Sequence, residues 1–409
     1  MASPHADAGP RTGKAPWLNR TVIGIGLASL FSDWAHETAT TILPAFLASL
    51  GTAAAWLGLI EGVSDGLAST AKMASGIYTD KLRHRKPIAV IGYLVTAVGT
   101  ASFALAANAW EVLLCRSVAW LGRGVRTPVR KALLAAAVTK ETYGRAFGFE
   151  RMMDTVGAIA GPATALLLLT VFAHNYRHIF LVTLIPGILA SALIAFLVKE
   201  AERRRVSHIT LSERLHALPK SYRTFLVAVG FFGAGDFAPT LLILLATQKL
   251  TPEFGAAKAA SVAVGFYLLR NIFNAACAPI AGWLADRFKK NIVLAFGYAL
   301  AAVMAVLIIL APANVLTLGV VFALSGIFVA ITETLEDSFC AELAGEEHHG
   351  TAFGVLATVN GIGDLISSSV VGALWSAVGT TAAFGYSAVL FCLGAILVLR
   401  TRSAQIGRE

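Results

Sequence analysis

Gly76-Ile-Tyr-Thr-Asp80-Lys81 returns 206 residues later as Gly282-Trp-Leu-Ala-Asp286-Arg287, and Ala146-Phe147-Gly148 returns at the same offset as Ala352-Phe353-Gly354. Two matches in one register, with no gap between them, mark the chain as two parallel halves. Around these anchors lie apolar blocks of about twenty residues parted by short polar stretches, the length a helix needs to cross a bilayer core. Composition agrees: of 409 residues, 56% are hydrophobic and only 14% charged, with a mean hydropathy of +0.71. An all-α membrane protein is expected, with twelve transmembrane helices in two pseudo-symmetric six-helix bundles. Parallel halves of this kind are a transporter architecture, with substrate handled between them near the midplane.

The apolar blocks place spans near 22–48, 55–78, 88–107, 111–137, 146–172, 178–199, 225–247, 258–284, 291–311, 314–340, 351–377 and 381–400. With both termini in the cytoplasm, and with the span-edge residues Lys199, Lys258 and Arg400 counted in the flanking segments, 22 of the 33 Lys and Arg fall in cytoplasmic segments, 3 outside (Arg177, Lys249, Lys258) and 8 within spans. That asymmetry is the positive-inside bias. The expected organisation is a cytoplasmic tail (1–21), an N-terminal bundle (22–199), a cytoplasmic linker (200–224), a C-terminal bundle (225–400) and a second tail (401–409). Within the linker, Thr210-Leu-Ser-Glu213 ahead of Leu211, Leu215 and Leu218 has the pattern of a capped surface helix.

Other classes fit poorly. The net charge of +9 lies in loops rather than on one soluble face, so no nucleic-acid partner is expected. Residues 1–20 lack an apolar core ending in a cleavage site, and the first span is expected to act as its own insertion signal. Cys115, Cys277, Cys340 and Cys392 fall in four separate segments without CxxC spacing, which indicates neither a disulfide framework nor a metal site. The run Glu346-Glu347-His348-His349 reads as a solvated turn rather than a metal sensor. No HExxH and no phosphate-binding glycine loop occurs, which argues against a membrane-embedded enzyme. No cofactor is expected.

Spans 3, 6, 9 and 12 carry no acidic or basic residue in their interiors, whereas each of the other eight carries at least one. An ionisable group at the bilayer centre costs about 2.5 to 3.5 kcal/mol on insertion scales, so it faces a wet cavity or a partner. The four uncharged spans should therefore form the outer wall. In span 4, Arg116, Arg123, Arg126 and Arg130 lie within about 80° of one another on a helical wheel, a cationic face. An ion-pair network with Glu150 and Asp154 competes with a cavity role for the lower members and for Lys131; Arg123 lies nearer mid-depth. Asp33 and Glu37 in span 1, with His36 beside them, and Glu61 and Asp65 in span 2 are i, i+4 pairs, each on one helix face. Paired carboxylates in low dielectric raise one another's pKa and are candidates for carrying a proton; salt bridges to Arg123, Arg270 or Lys72 are the alternative. Asp236 in span 7 occupies nearly the place of Asp33, and Arg270, Glu333 and Asp364 charge the second half. Glu336 and Asp337 lie closer to the cytoplasm, as gate or structural residues.

The stretch Gly76-x-x-x-Asp80-Lys81-x-Arg83-x-Arg85-Lys86 resembles the loop 2–3 signature of the major facilitator superfamily, and the resemblance covers essentially the whole chain. Arg116, Gly122, Gly124 and Pro128 fall at the spacing of that family's span 4 motif, with Trp120 where glycine is usual. Gly157-x-x-x-Gly161-Pro162 is similar to the motif of its drug-proton antiporter branch, and physically permits close helix approach and a bend, a hinge seal between the halves. The resemblance implies alternating access around a cavity lined mainly by spans 1, 4, 7 and 10, with Asp80 bridging the cytoplasmic ends of the halves in the outward-facing state and Asp286 doing so less strictly. The expected substrate-binding residues are Asp33, Glu37, Arg123, Arg126, Asp236, Arg270, Glu333 and Asp364. Proton coupling falls to Asp33, Glu37, Glu61 and Asp65, and gating to Gly76, Asp80, Arg116, Asp154, Gly157, Gly161, Pro162 and Asp286. The expected function is proton-coupled efflux of a small anionic or zwitterionic organic compound across a bacterial inner membrane by a monomer, the partners being substrate, protons and the lipid bilayer. Proton-coupled uptake of a small organic anion is the rival within transport; a non-transporting receptor or sensor is the rival outside it.

Overall fold

A computed structural model of the chain describes residues 16–51, 55–173, 175–200, 218–312 and 314–401. Twelve transmembrane helices follow one another: α1 (Arg20–Ser49), α2 (Ala55–Thr79), α3 (Lys86–Ala101), α4 (Ala109–Ala136), α5 (Tyr143–Val171), α6 in two pieces (Tyr176–Val182 and Leu184–Leu197), α7 in two pieces (Lys220–Gly233 and Pro239–Phe254), α8 (Ala256–Arg287), α9 (Lys290–Leu310), α10 (Val315–Ala344), α11 (His349–Ala377) and α12 (Thr380–Leu399). Thr210–Glu213, expected as a surface helix, lies outside the described residues.

Asparagines cap the starts of four helices, α1, α4, α6 and α10. Asn19 Oδ1 accepts from the Thr21 and Val22 amides, Asn108 from Glu111, Asn175 from His178 and Asn314 from Thr317, satisfying donors that a first turn leaves orphaned. Asn108 and Asn314, which start α4 and α10, again stand 206 residues apart.

The two interrupted helices were not evident from hydropathy. Pro186 lacks the N–H that would bond the carbonyl of Val182, and α6 breaks there, at Thr183. Pro239 does the same in α7, where Gly235 and Asp236 leave helical geometry and bond only to Phe232 and Gly233 carbonyls. Serines of α11 repair the gap: Ser367 Oγ donates to the Asp236 carbonyl at 2.7 Å, and Ala238 N–H donates to Ser368 Oγ at 3.3 Å. Non-helical backbone at membrane depth is tolerated where it is repaired in this way and borders a cavity.

Each half packs by one plan. In the first, α1 packs on α5 and α6, α2 on α4, and α3 on α4 and α6; in the second, α7 packs on α11 and α12, α8 on α10, and α9 on α10 and α12. The four helices without charge in their interiors form the outer wall, showing exposed apolar side chains outward: Ile91 and Val98 on α3, Ile185 and Phe196 on α6, Ile292 and Phe296 on α9, Val389 and Ile396 on α12. The halves meet through α5 against α8 and α2 against α11.

Candidate functional site

Both chain tails leave from one end of the bundle, called here the tail end, and there the halves are sealed. Gly76 of α2 lies so close to α11 that a Cβ on Gly350 would sit 2.6 Å from the Gly76 carbonyl oxygen and 2.7 Å from Asp80 Oδ1. Gly282 of α8 meets Gly144 of α5 equally closely. Above each glycine contact an aspartate caps a helix of the opposite half. Asp80 accepts from the Gly350 and Thr351 amides at 2.8 and 2.7 Å, the first free donors of α11, while Arg85 Nη2 donates to its Oδ1 at 3.0 Å. Asp286 accepts from the Gly144 and Arg145 amides at 2.7 and 3.1 Å and from Arg145 Nε at 2.8 Å, at the start of α5. Helix starts attract anions through these donors and the macrodipole. The aspartates and the amides they cap are related by the 206-residue offset, while the arginines are not: Arg85 comes from the half of Asp80 and Arg145 from the half opposite Asp286. Asp286, like Asp80, bridges the halves.

Aromatic rings fill the space between the two caps: Tyr143 stands edge-on to His349 at 6.1 Å and Phe147 faces Phe353 at 5.7 Å. His349 is thus buried in the seal, with Nε2 2.9 Å from the Ala341 carbonyl, and is not part of a solvated turn. Glu346–His348 form a short 3-10 turn, and no metal-ligating cluster occurs among the described residues.

Away from the tails the halves part. The last close approach of α2 to α11 is Gly361 against Ser69; beyond it a Cβ on Gly66 or Gly62 of α2, or on Gly265 of α8, would meet no described atom. Val264, Leu268 and Ile272 of α8 and Ile362 and Leu365 of α11 are exposed. The cleft is open at the end opposite the tails.

At its base, in the second half, lies a cavity of about 310 Å³. It is lined by Asp236, Arg270, Glu333 and Asp364, with Ser325 and Ser368, and by Phe237, Leu242, Met304 and Phe328. The break in α7 puts Asp236 here. Arg270 is held by Ser325 Oγ (3.0 Å from Nε) and Asn271 Oδ1 (3.2 Å from Nη1). Glu333 pairs with Arg151 of α5, across the halves. Among the described residues, the Asp236 and Asp364 carboxylates have neither a hydrogen-bond donor nor an ion-pair partner. Lys72 of α2 faces Asp364 and Asp65 without closing an ion pair with either.

In the first half the arginines of α4 do not act as one cationic face. A guanidinium reaches several ångströms from its Cα, so each finds its own partner. Arg116 lies over the Trp120 ring at 4.2 Å and 3.9 Å from Glu61. Arg123 Nη2 is 3.3 Å from Asp33 Oδ1, and Arg130 bonds Glu150 at 2.8 Å, Ser29 at 2.6 Å and approaches Asp154 at 3.6 Å. Arg126 turns away from the cleft and stacks over Tyr93 of α3 at 4.0 Å. The expectation that Arg126 lines the cavity is therefore corrected. Arg116 also stays within its own half, and Asp154 is bound to Arg130 and Arg151 in the ionic layer. Glu37 lies 3.8 Å from His36 Nε2 and is half-buried, whereas Glu61 and Asp65 are exposed. Trp120, in the place of the family's glycine, packs on His36 at 4.6 Å and donates from Nε1 to Asp65 at 2.7 Å. Gly157 and Gly161 pack on Leu30, Glu37 and Thr38 of α1, so this motif tightens the first bundle and does not span the halves; Pro162 lies inside the unbroken α5.

Two inter-half ion pairs were not foreseen as such: Arg151–Glu333, and Lys131 Nζ to Asp337 Oδ1 at 2.6 Å. Asp337 stands 206 residues after Lys131, so the same repeat position carries opposite charges, a signal the offset could have exposed. Glu336, one turn from Glu333, is buried and accepts from Tyr298 Oη at 2.7 Å and Asn360 Nδ2 at 2.9 Å.

The sequence profile of the Major Facilitator Superfamily matches residues 25–249 and 224–408. An uncharacterized MFS-type transporter of Methanocaldococcus jannaschii, MJ1317, is 28% identical over 384 residues, which are 93% of this chain and 95% of that one. The multidrug resistance protein MdtH of Edwardsiella ictaluri is 25% identical over 335 residues, 80% of this chain and 77% of its own. The fucose:proton symporter FucP of E. coli shares the fold, with a TM-score of 0.73 over 94% of this chain and 100% of its own at 18% identity. Twelve helices in two repeated bundles, a cleft between them and a matching profile over both halves lead to one conclusion: the chain is a multi-pass membrane transporter belonging to the Major Facilitator Superfamily.

Proposed function

We propose that the protein exports a small amphipathic compound carrying a protonated amine, in exchange for protons, by alternating access across a bacterial inner membrane. The observation that carries this reading is the cavity, in which Asp236 and Asp364 are left without partners while Arg270 and Glu333 are engaged. Asp236 is half-buried and Asp364 is exposed to the cleft; an acid left without a partner at membrane depth is costly, and a cationic group is the ligand that relieves it. This sets aside the expectation of an anion, which rested on Arg123 with Arg270: Arg123 is held by Asp33, and Arg270 is engaged by Ser325 and Asn271. A zwitterion keeps a partner in Arg270. Aromatic and aliphatic lining at Phe237, Leu242, Met304 and Phe328 suits an apolar body.

The charge bias puts the tail end in the cytoplasm, which makes this conformation outward-open. Protons entering from outside reach Asp33, whose neutralisation releases Arg123; Glu37, Glu61 and Asp65 border the route. Similarity to a protein named for multidrug resistance supports export over uptake.

The test uses purified protein in liposomes with an imposed pH gradient, ethidium as a lipophilic cation and carboxyfluorescein as an anion. Expected is ethidium movement driven by the gradient, abolished by a protonophore, and reduced at least tenfold in Asp236→Asn and Asp364→Asn. Gradient-driven movement of carboxyfluorescein alone overturns the cation assignment; ethidium binding without flux overturns transport in favour of a receptor. Accumulation of the substrate in the cytoplasm-equivalent compartment overturns export in favour of symport.

A further inference from the structure

We infer that the tail end of the first half carries a binding site for one anionic phospholipid, between the start of α3 and the end of α6 on the outer wall. A second cavity, of about 480 Å³, opens there, lined by His84, Lys86, Pro87, Phe196, Val198, Lys199 and Glu200. It lies outside the cleft and apart from every residue of the transport site.

Its electrostatics favour an anion. The one acid in the lining, Glu200, is committed to the protein: its two oxygens accept from the Arg85 and Lys86 amides at 2.7 and 2.9 Å, capping α3. Among the described residues, no ion pair engages His84, Lys86 or Lys199. Arg20, at the start of α1, donates from Nη2 to the Phe196 carbonyl at 3.0 Å, which holds its guanidinium beside the same rim. Two lysines in the lining, with Arg20 at its rim, thus stand against a single, already bonded carboxylate.

The apolar part of the lining separates a lipid from a free anion. Phe196 is 77% exposed, and Leu189 and Ile185 continue its face up α6 at helical spacing, both exposed. A basic pocket at the interface, continuous with an apolar stripe along a lipid-facing helix, matches a phosphate headgroup with acyl chains beneath it. Basic pockets between helices on the cytoplasmic side of membranes are recognised as anionic headgroup sites. The bound lipid would tie together α1, α3 and α6, the three elements that converge there.

The test is a titration of the full chain in neutral detergent with dioleoylphosphatidylglycerol, dioleoylphosphatidylcholine or inorganic phosphate, read by thermal unfolding and by lipid retained in native mass spectrometry. Expected is retention of one phosphatidylglycerol with a raised melting temperature. The double variant Lys86→Gln, Lys199→Gln weakens it about tenfold or more, and Lys86→Arg, Lys199→Arg restores it. A second double variant, Lys289→Gln with Arg400→Gln, removes equal charge from the tail end of the other half and leaves binding unchanged. Equal retention of phosphatidylcholine, equal loss in both Gln pairs, or a full effect from inorganic phosphate each overturns the proposal.

Discussion

Asp33 and Arg123 sit 3.3 Å apart with the carboxylate only 7% exposed, so removing one partner strands the other at membrane depth. Breaking a buried pair of this kind costs about 3 to 5 kcal/mol, whereas replacing both members is far milder. Arg123→Gln should lower the melting temperature of detergent-purified protein steeply, and adding Asp33→Asn should recover most of the loss; equal melting of the single and double variants would show that the pair is not coupled. The Asp236 carboxylate has no such partner, so Asp236→Asn should leave the melting temperature unchanged or higher while transport falls. At this scale the sequence showed which residues were ionic and at what depth, because an acid or base in an apolar block is visible by contrast. Partner choice was hidden. Arg116, Arg123, Arg126 and Arg130 share one side of α4 as backbone positions, yet their guanidinium groups end on α2, α1, α3 and α5 respectively, and only packing decides that.

Helix contacts made through glycine set the seal. Leu or Val side chains gain nothing by leaving lipid for a helix interface, so close backbone approach carries such contacts in a membrane. Gly76→Val and Gly282→Val place atoms against the Gly350 and Gly144 carbonyls. Both should prevent tail-end closure and cut transport more than tenfold while the purified protein still melts cooperatively. The repeat makes a sharper forecast: the two variants should be equivalent within about twofold, and a harmless Gly282→Val would break the symmetry on which the seal is argued. In α7, Ser367→Ala removes the hydroxyl that repairs the Asp236 carbonyl, at a cost of about 0.5 to 1.5 kcal/mol, measurable as a lower melting temperature. The seal was legible because Gly76, Asp80 and their copies sit in register. The break in α7 was not: its Gly235-Asp236 and Pro239 lie in a block whose hydropathy alone reads as one continuous span.

On the scale of the whole molecule, two six-helix bundles pack by one plan and touch only toward the tail end, where two aspartates each cap a helix of the opposite bundle. Neither cap exists once that end opens, since both donors and acceptors lie across the interface. Their joint contribution, about 0.5 to 2 kcal/mol per cap on the scale of helix capping, is the size of an energy that biases a two-state equilibrium without fixing it. No sequence pattern could show which state the chain adopts, because the same residues must serve both. The most direct measurement is cysteine accessibility: Leu365→Cys or Ile272→Cys, in a background lacking the four native cysteines, labelled in intact cells with a membrane-impermeant maleimide. The cleft described here predicts rapid labelling from outside, which falls several-fold when Asp80→Asn and Asp286→Asn are combined and the tail end is freed to open. Labelling that occurs only from the cytoplasmic side, or that is unchanged by loss of both aspartates, would contradict it.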